Sequence, residues 1–315
     1  MPADLLPDLI TMVSRLRFKQ LRLLIALDEH KSLHKAAERV AITQPGASKA
    51  LHEIESTLGV SLFERTSQGL EANDLGRCAI RYARLINTDL AHLREEMLGI
   101  MQGHGGRLAV GAIMGAVPTL VQALARLRAR QPQLSVEIVE DTSVRLLSLL
   151  DDGRLDVAIC RTSVSKRPDT YDCRVREQEP LLVVAHPEHP LARRQGLHLA
   201  DLADSRWVVF PVNMPMRLTL ERAFREAGLG FPQYPIETSS TFTTLSLLAQ
   251  DPTLVAVMPT DVARMALDHG ILAALPLQLA SRSEPLEIVT RHGASLSVPA
   301  QLLIDELLLD ESAPA

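Results

Sequence analysis

Between Phe18 and Gly59 the chain carries three short apolar periodicities, each with its own start and stop, and few folds accommodate such a series. In the first, Phe18, Leu21, Leu24, Ile25 and Ala26 give a helix with a core-facing stripe that stops near His30. The second opens at Ser32, whose hydroxyl suits an N-cap, and runs through Ala36, Ala37 and Val40. The third begins where Thr43 can cap and Pro45 can occupy the first turn, since its missing N–H costs nothing there. Ala47, Leu51, Ile54 and Leu58 form its apolar face, and Gly59 ends it. That period leaves Gln44, Ser48, Lys49 and His52 on other faces, where a helix first meets a partner. Very short turns between the three predict a compact helical module.

The segments Phe63-Glu64-Arg65 and Gly69 to Asn73 then read as a two-stranded ribbon with Thr66, Ser67 and Gln68 at its tip, which makes the module winged. From Leu75 a longer helix carries Ala79, Tyr82, Ile86, Leu90, Leu93, Met97 and Ile100, spaced alternately by three and four. Such a stripe calls for a partner helix. Gly103-His104-Gly105-Gly106 is a hinge. After it, strand and helix alternate: Leu108 to Ala112, Val117 to Arg130, Leu134 to Val139, Val144 to Leu150 and Leu155 to Cys160 predict an α/β domain built on a parallel sheet. Further strands are expected at Pro180 to Ala185, Trp207 to Phe210 and Leu254 to Met258. Helices are expected at Arg217 to Ala227, Thr243 to Ala249 and Ala263 to Asp268. The total exceeds one five-stranded sheet and suits two similar subdomains around a cleft.

Composition excludes several classes. With 46% hydrophobic and 23% charged residues in 315, the chain has a real core and is neither disordered nor fibrous. A net charge of -5 argues against wholesale coating of nucleic acid, so a DNA argument must be local. It is: from Arg15 to Lys49 the bases Arg15, Arg17, Lys19, Arg22, Lys31, Lys35, Arg39 and Lys49 outnumber Asp28, Glu29 and Glu38. Three cysteines without a C-x-x-C pair indicate neither a disulfide framework nor a zinc site, and fit a reducing cytoplasm. No export signal and no bilayer-spanning run is read, so no membrane partner is expected. Nor is there a G-x-S-x-G elbow, a P-loop, a G-x-G-x-x-G fingerprint or an H-E-x-x-H pair; no enzyme, metal site or cofactor is expected. His30 and His34, with Ser32 between them, and His186 and His189 beside prolines read as structural.

The residues Phe18-x-Gln20-Leu21, Ser32-Leu33-x-x-Ala36-Ala37, Gln44-Pro45-x-x-Ser48-Lys49, Ile54-Glu55-x-x-Leu58-Gly59, Leu62-Phe63-Glu64-Arg65 and Gly69 stand in order. With them, Leu16 to Leu98 resembles the DNA-binding head and linker helix of LysR-type transcriptional regulators. The likeness continues more weakly through Gly111, Glu140-Asp141-Thr142, Gly153-x-Leu155-Asp156-Val157-Ala158-Ile159 and His189-Pro190-Leu191. It implies an extension at 1–14, a winged helix-turn-helix domain at 15–73, a dimerising linker helix at 74–102 and a hinge at 103–106. It also implies an effector domain at 107–315 that resembles periplasmic binding proteins. Subdomain I of that domain is expected at about 107–179 and 285–315, and subdomain II at about 180–284. Dimers pairing into tetramers, and contact with RNA polymerase in an activator, follow from the same likeness. Gln250-Asp251-Pro252-Thr253 departs from the family's Gly-rich entry to a late strand, and Ser67 and Gln68 replace its basic wing tip.

On this reading Gln44, Ser48 and Lys49 have the chemistry to read bases of double-stranded promoter DNA, with Pro45 adding apolar contact. Thr43 and Thr66 are also expected to bind the DNA, while Lys31, Lys35 and Arg65 neutralise phosphates. In the second domain, ligands belong at the strands' carboxyl ends, beside helix N-termini. Ile113, Met114 and Gly115, then Thr142 and Ser143, Arg161, Asn213 and Met214, and Thr238 and Ser239 are expected there. They suit a small effector such as a carboxylate or sugar acid, with Met114, Met214 and Phe210 along its apolar part. Ser143 and Ser240 also read as plain N-caps. Two alternatives remain: a redox regulator using Cys160 and Cys173, and an α/β enzyme or solute-binding module.

Overall fold

The computed structural model describes residues 6–67, 69–102, 106–175, 180–212, 214–277, 279 and 284–309. The hinge residues 103–105, Gln68 and Asn213 lie outside them. The chain forms two compact units: residues up to Arg107 with Ser148–Leu155, and Leu108–Leu147 with the described residues from Asp156 onward.

The first unit opens with a helix outside the sequence expectations, α1 (Leu9–Arg15), followed by α2 (Phe18–His30), α3 (Leu33–Arg39) and α4 (Gln44–Leu58). The caps are those anticipated: the Ser32 hydroxyl accepts from the Lys35 N–H, Thr43 from that of Gly46, and Gly59 closes α4 at φ 72°. Ala47, Leu51, Ile54 and Leu58 are buried, and so are Leu23, Leu24, Ala26 and Leu27 of α2. Phe18, expected in the core, is 61% exposed. It is the first residue of α2, and the buried face is carried by the Leu23, Leu24 and Leu27 spacing further along.

The ribbon is β1 (Phe63–Thr66) paired antiparallel with β2 (Gly69–Ala72), and α5 (Asp74–Gln102) follows. A chain of hydrogen bonds ties α4, ribbon and α5 together. Glu55 Oε1 accepts from the Leu62 N–H at 2.7 Å, the Phe63 N–H at 3.3 Å and the Ser61 hydroxyl. On the far side Asn73 donates its N–H to the Leu62 carbonyl and its amide to that of Ser61, while its Oδ1 caps α5 through the Gly76 N–H at 2.9 Å. Gly76 sits so close to the Leu62 carbonyl that a Cβ there would overlap it. Along α5, Leu75, Tyr82, Leu90, Leu93 and Met97 are exposed.

The second unit holds two five-stranded sheets. In one the order is β4 (Ser135–Glu140), β3 (Arg107–Ala112), β5 (Val157–Cys160), β12 (Glu287–Arg291), β6 (Tyr171–Val175). Helix α6 (Val117–Arg130) and helix α11 (Val298–Leu309) cover it through Leu120, Leu124, Leu127, Leu303, Ile304 and Leu307. Helix α7 (Ser143–Asp151) joins β4 to β5. In the other sheet the order is β11 (Ala273–Leu275), β7 (Leu181–Ala185), β10 (Leu254–Pro259), β8 (Arg206–Val209), β9 (Ile236–Glu237). It carries α8 (Pro215–Glu226), α9 (Thr241–Gln250) and α10 (Thr260–Asp268), with Trp207, Leu220 and Phe224 in its core.

The parallel-sheet expectation needs correction. β3 runs parallel to β5, and β8 to both β9 and β10, but β12 is antiparallel to β5 and β6, and β7 to β10 and β11. Parallel strands follow from local strand-helix-strand crossovers; β12 returns to its sheet from far along the chain and its direction is free of that rule.

Replacing Gly76 by Ala removes a helix penalty of about 1 kcal/mol, yet the overlap with Leu62 forces backbone to move, at a cost of about 1 to 3 kcal/mol. Urea denaturation of G76A is expected to show a net loss of stability. A variant as stable as the parent would mean that α5 does not depend on that close approach.

Candidate functional site

Two regions gather the residues singled out above. In the first unit, α4 turns its apolar side to the core and leaves Gln44, Pro45, Ser48, Lys49, His52 and Glu53 exposed. Thr43 is spent on capping, which fixes where the helix starts rather than freeing a hydroxyl. Lys49 lies 3.9 Å from Glu53, an exposed pair worth little. Among the described residues the side chains of Gln44, Ser48 and His52 make no hydrogen bond or ion pair.

The basic residues stand around that edge in different states. Lys35 and Arg65 are exposed, whereas Lys31 reaches Asp28 at 3.2 Å and adopts a left-handed conformation at φ 53°. The Lys31 carbonyl accepts from the Leu70 N–H, and Gly69, at φ 118°, packs against that carbonyl too tightly for any Cβ. Lys31 thus holds the ribbon through its backbone, a role that its charge did not reveal. The Thr66 hydroxyl donates to the Gly69 carbonyl across the ribbon's turn.

In the second unit a cavity of about 510 Å³ is lined by Ile113, Met114, Gly115, Thr142, Ser143, Arg161, Met214 and Ser239 of the expected set, and by Phe210. Glu140, Asp141, Val144, Val164, Pro215 and Met216 complete it. The starts of α7 and α8 and the turn before α9 all contribute to this lining, so the positive ends of helix dipoles border it. Asp141 carries a second negative charge beside Glu140, but its Oδ1 already accepts from the Thr142 N–H at 2.7 Å. Thr238 is not among the lining; its Oγ1 accepts from the Ser240 N–H, and its own N–H bonds the Val209 carbonyl.

Ser143 is not the N-cap that its sequence context suggested. Thr142 takes that place, accepting from the Arg145 N–H, while the buried Ser143 hydroxyl accepts from the Arg161 N–H at 3.2 Å and so joins α7 to the end of β5. Ser240 does cap α9, through the Thr243 N–H. Arg161 is buried, its Nε donating to the Glu284 carbonyl at 3.1 Å. Glu287 then takes both the N–H and the hydroxyl of Thr162, at 2.7 and 2.6 Å. On the opposite wall the buried Arg217 donates to the Phe210 carbonyl and to Glu221, with its guanidinium 4.3 Å from the Phe231 ring centre. Sequence reasoning missed Glu287 and Arg217: Glu287 acts on a residue 125 positions away, whereas Arg217 sits within an i,i+4 pair with Glu221 whose spacing could have flagged it.

The chain's affiliation rests on its length-wide match to known sequences. Residues 18–77 match the family described as "Bacterial regulatory helix-turn-helix protein, lysR family", and residues 101–310 match the "LysR substrate binding domain". The chain belongs to the LysR family of transcriptional regulators. The HTH-type transcriptional regulator GbpR of Azospirillum brasilense is 32% identical over 296 residues, 93% of this chain and 86% of that one. The small neutral protease regulatory protein of Streptomyces coelicolor is 36% identical over 222 residues, 68% of this chain and 66% of that one. The fold matches that of full-length CbnR in complex with its target DNA at a TM-score of 0.63 and 20% identity, over 93% of this chain and 99% of that one. As a LysR-type regulator, the chain joins a helix-turn-helix module to a substrate-binding domain; members bind promoter DNA and small effectors. No helix of the described residues is long and apolar enough to cross a membrane, and those residues include no cluster of three or more His, Cys, Asp or Glu side chains placed to hold a metal ion.

The geometry works against a Cys160–Cys173 switch. β5 and β6 flank β12, with Cys160 opposite Glu287 and Cys173 opposite Val289, so the two lie two strand spacings apart, about 9.6 Å, with a further two-residue offset along the strands. A disulfide tolerates at most about 7 Å between Cα atoms. Burial, with the Glu287 charge second, pushes the Cys160 thiol up to about 12 and also raises Cys173, so neither is poised as a thiolate. At about pH 8 a thiol reagent is expected to modify Cys78 and Cys173 in native protein and to reach Cys160 only after denaturation. Above the ordinary thiol value near 8.5 the unfolded chain gives up a proton that folded Cys160 keeps, so stability should fall as pH rises further. A 160–173 disulfide found by mass spectrometry after peroxide treatment would contradict both statements.

Proposed function

We propose that this LysR-family chain recognises promoter DNA with the exposed N-terminal edge of α4 and that a small anion in the 510 Å³ cavity controls that recognition. The observation that carries the reading is the division of α4: its apolar face and its cap are engaged by the protein, while Gln44, Ser48 and Lys49 are held out on a rigid helix. A major-groove helix presents its readers this way, Gln offering paired hydrogen bonds to adenine and Lys donating to guanine. Lys31, Lys35 and Arg65 then serve as phosphate contacts. The exposed α5 stripe supports self-association through that helix, extended to a dimer of dimers, and an activator of this kind would touch RNA polymerase. The working compartment is the cytoplasm, where promoter DNA lies, and the second unit binds rather than transforms its ligand.

In the cavity, Arg161 and several helix starts favour a carboxylate, while Met114, Phe210 and Met214 offer apolar surface to its carbon frame. This supports a small carboxylate or sugar acid. Binding acts on DNA only to the extent that two arrangements of the assembly differ in affinity for the ligand. A thermal-shift scan of the purified full chain against carboxylates and sugar acids is expected to find one that raises the melting temperature. The rise should shrink in R161Q; a rise of the same size in that variant would remove Arg161 as the anchor.

For the DNA edge, operators selected from a random duplex pool supply the probe. Gln44→Ala is expected to lose about 1 to 3 kcal/mol of discrimination at one base step. Lys35→Ala should weaken all duplexes alike and reduce the slope of log affinity against log salt by about one. A uniform loss for Gln44→Ala across operator variants would remove Gln44 as a reader.

A further inference from the structure

The exposed edge of α4 extends beyond the residues assigned to base reading. His52 lies one turn past Ser48 and Lys49 on the same side, about 12 Å along the helix axis from Gln44. It is exposed and, among the described residues, makes no hydrogen bond or ion pair. Resting on the reading that this edge faces duplex DNA, we propose that His52 is a further DNA-contacting residue and that operator binding takes up a proton on its imidazole.

The argument is one of position and charge. A helix whose first two turns lie in the major groove brings its third turn against the phosphates of the groove wall. Phosphates within hydrogen-bond reach favour the charged form of an imidazole, so the geometry of the complex itself draws a proton to this position. Among the described residues no acid pairs with His52; the adjacent Glu53 is engaged by Gln20 at 3.2 Å and by Lys49 at 3.9 Å. On α4 its neighbours one turn away are Ser48, Lys49, Glu55 and Ser56, and Glu55 is committed to the Leu62 and Phe63 N–H groups. The elements packed on α4 contribute Arg15 from α1 and Lys19, Arg22, Asp28, Glu29 and His30 from α2. From α3 come His34, Lys35, Glu38 and Arg39. Asp28 is held by Lys31 and Arg84, Glu38 by His34, and none of the group pairs with His52. A cation formed at His52 is therefore left for the DNA.

The sign follows from linkage: a group whose value rises on binding makes the complex tighter as pH falls. Fluorescence anisotropy of the full chain on a selected operator, at constant ionic strength, is expected to show affinity rising about tenfold per head from about pH 8 to about pH 6. H52Q should flatten that profile, H34Q should keep it, and H52R should bind with little pH dependence and a salt slope larger by about one per head. An H52Q profile parallel to the wild type, whether at the same affinity or uniformly weaker, overturns the proton uptake. The outcome is separable from the broader reading: if Gln44→Ala still loses base discrimination while H52Q keeps the wild-type pH profile, the reading edge stands and only the proton is lost.

Discussion

The first unit depends on how the segment between α4 and the ribbon is held. Glu55, on the last turn but one of α4, collects two backbone N–H groups and a hydroxyl from Ser61 to Phe63, and Asn73 takes the carbonyls of Ser61 and Leu62 from the other side. A short loop that would otherwise sample many conformations is pinned by both its donors and its acceptors. Because Asn73 also caps α5, the same few atoms set where the ribbon leaves and where the long helix begins. The Glu55 carboxylate and the missing side chain of Gly76 are two parts of one constraint: the first draws the loop in, the second leaves room for it.

The second unit uses the same economy at the cavity. Two of its polar lining residues are already bonded, Ser143 to the Arg161 backbone and Arg161 to the Glu284 carbonyl, and Thr162, next to Arg161, is bonded to Glu287. These bonds join the consecutive α7 and β5 to the approach to β12, more than a hundred residues further along, so this side is ordered before any ligand arrives. Phe210, Met214, Pro215 and Met216 also line the cavity; Arg217 bonds the Phe210 carbonyl beside them, and the two methionines present flexible thioethers.

The sequence was most legible where structure is local. The three head helices, their caps, the ribbon and the strand-helix alternation all follow from periods and cap residues lying within a few positions of one another. It was least legible where partners are distant. Phe18 looked like core because its spacing from Leu21 and Ile25 fits a stripe, but at the first position of α2 it projects beyond the packed face. β12 and α11 have no local sign of the sheet they complete, and among the described residues β6 pairs with β12 alone. At the sites, exposed polar residues at helical spacing could be named from sequence. Ser143, Lys31, Glu287 and Arg217 could not be assigned their roles, since each works through a backbone group or a residue far along the chain.

The separation of tasks within α4 bears on how such a regulator diverges. Folding is secured by Ala47, Leu51, Ile54, Thr43 and Glu55, and the side chains turned to solvent contribute almost nothing to it. Codons 44, 48, 49 and 52 can therefore drift with little penalty in stability. A duplicated copy would acquire a new target site by a few surface changes, keeping its scaffold intact while its vocabulary is rewritten.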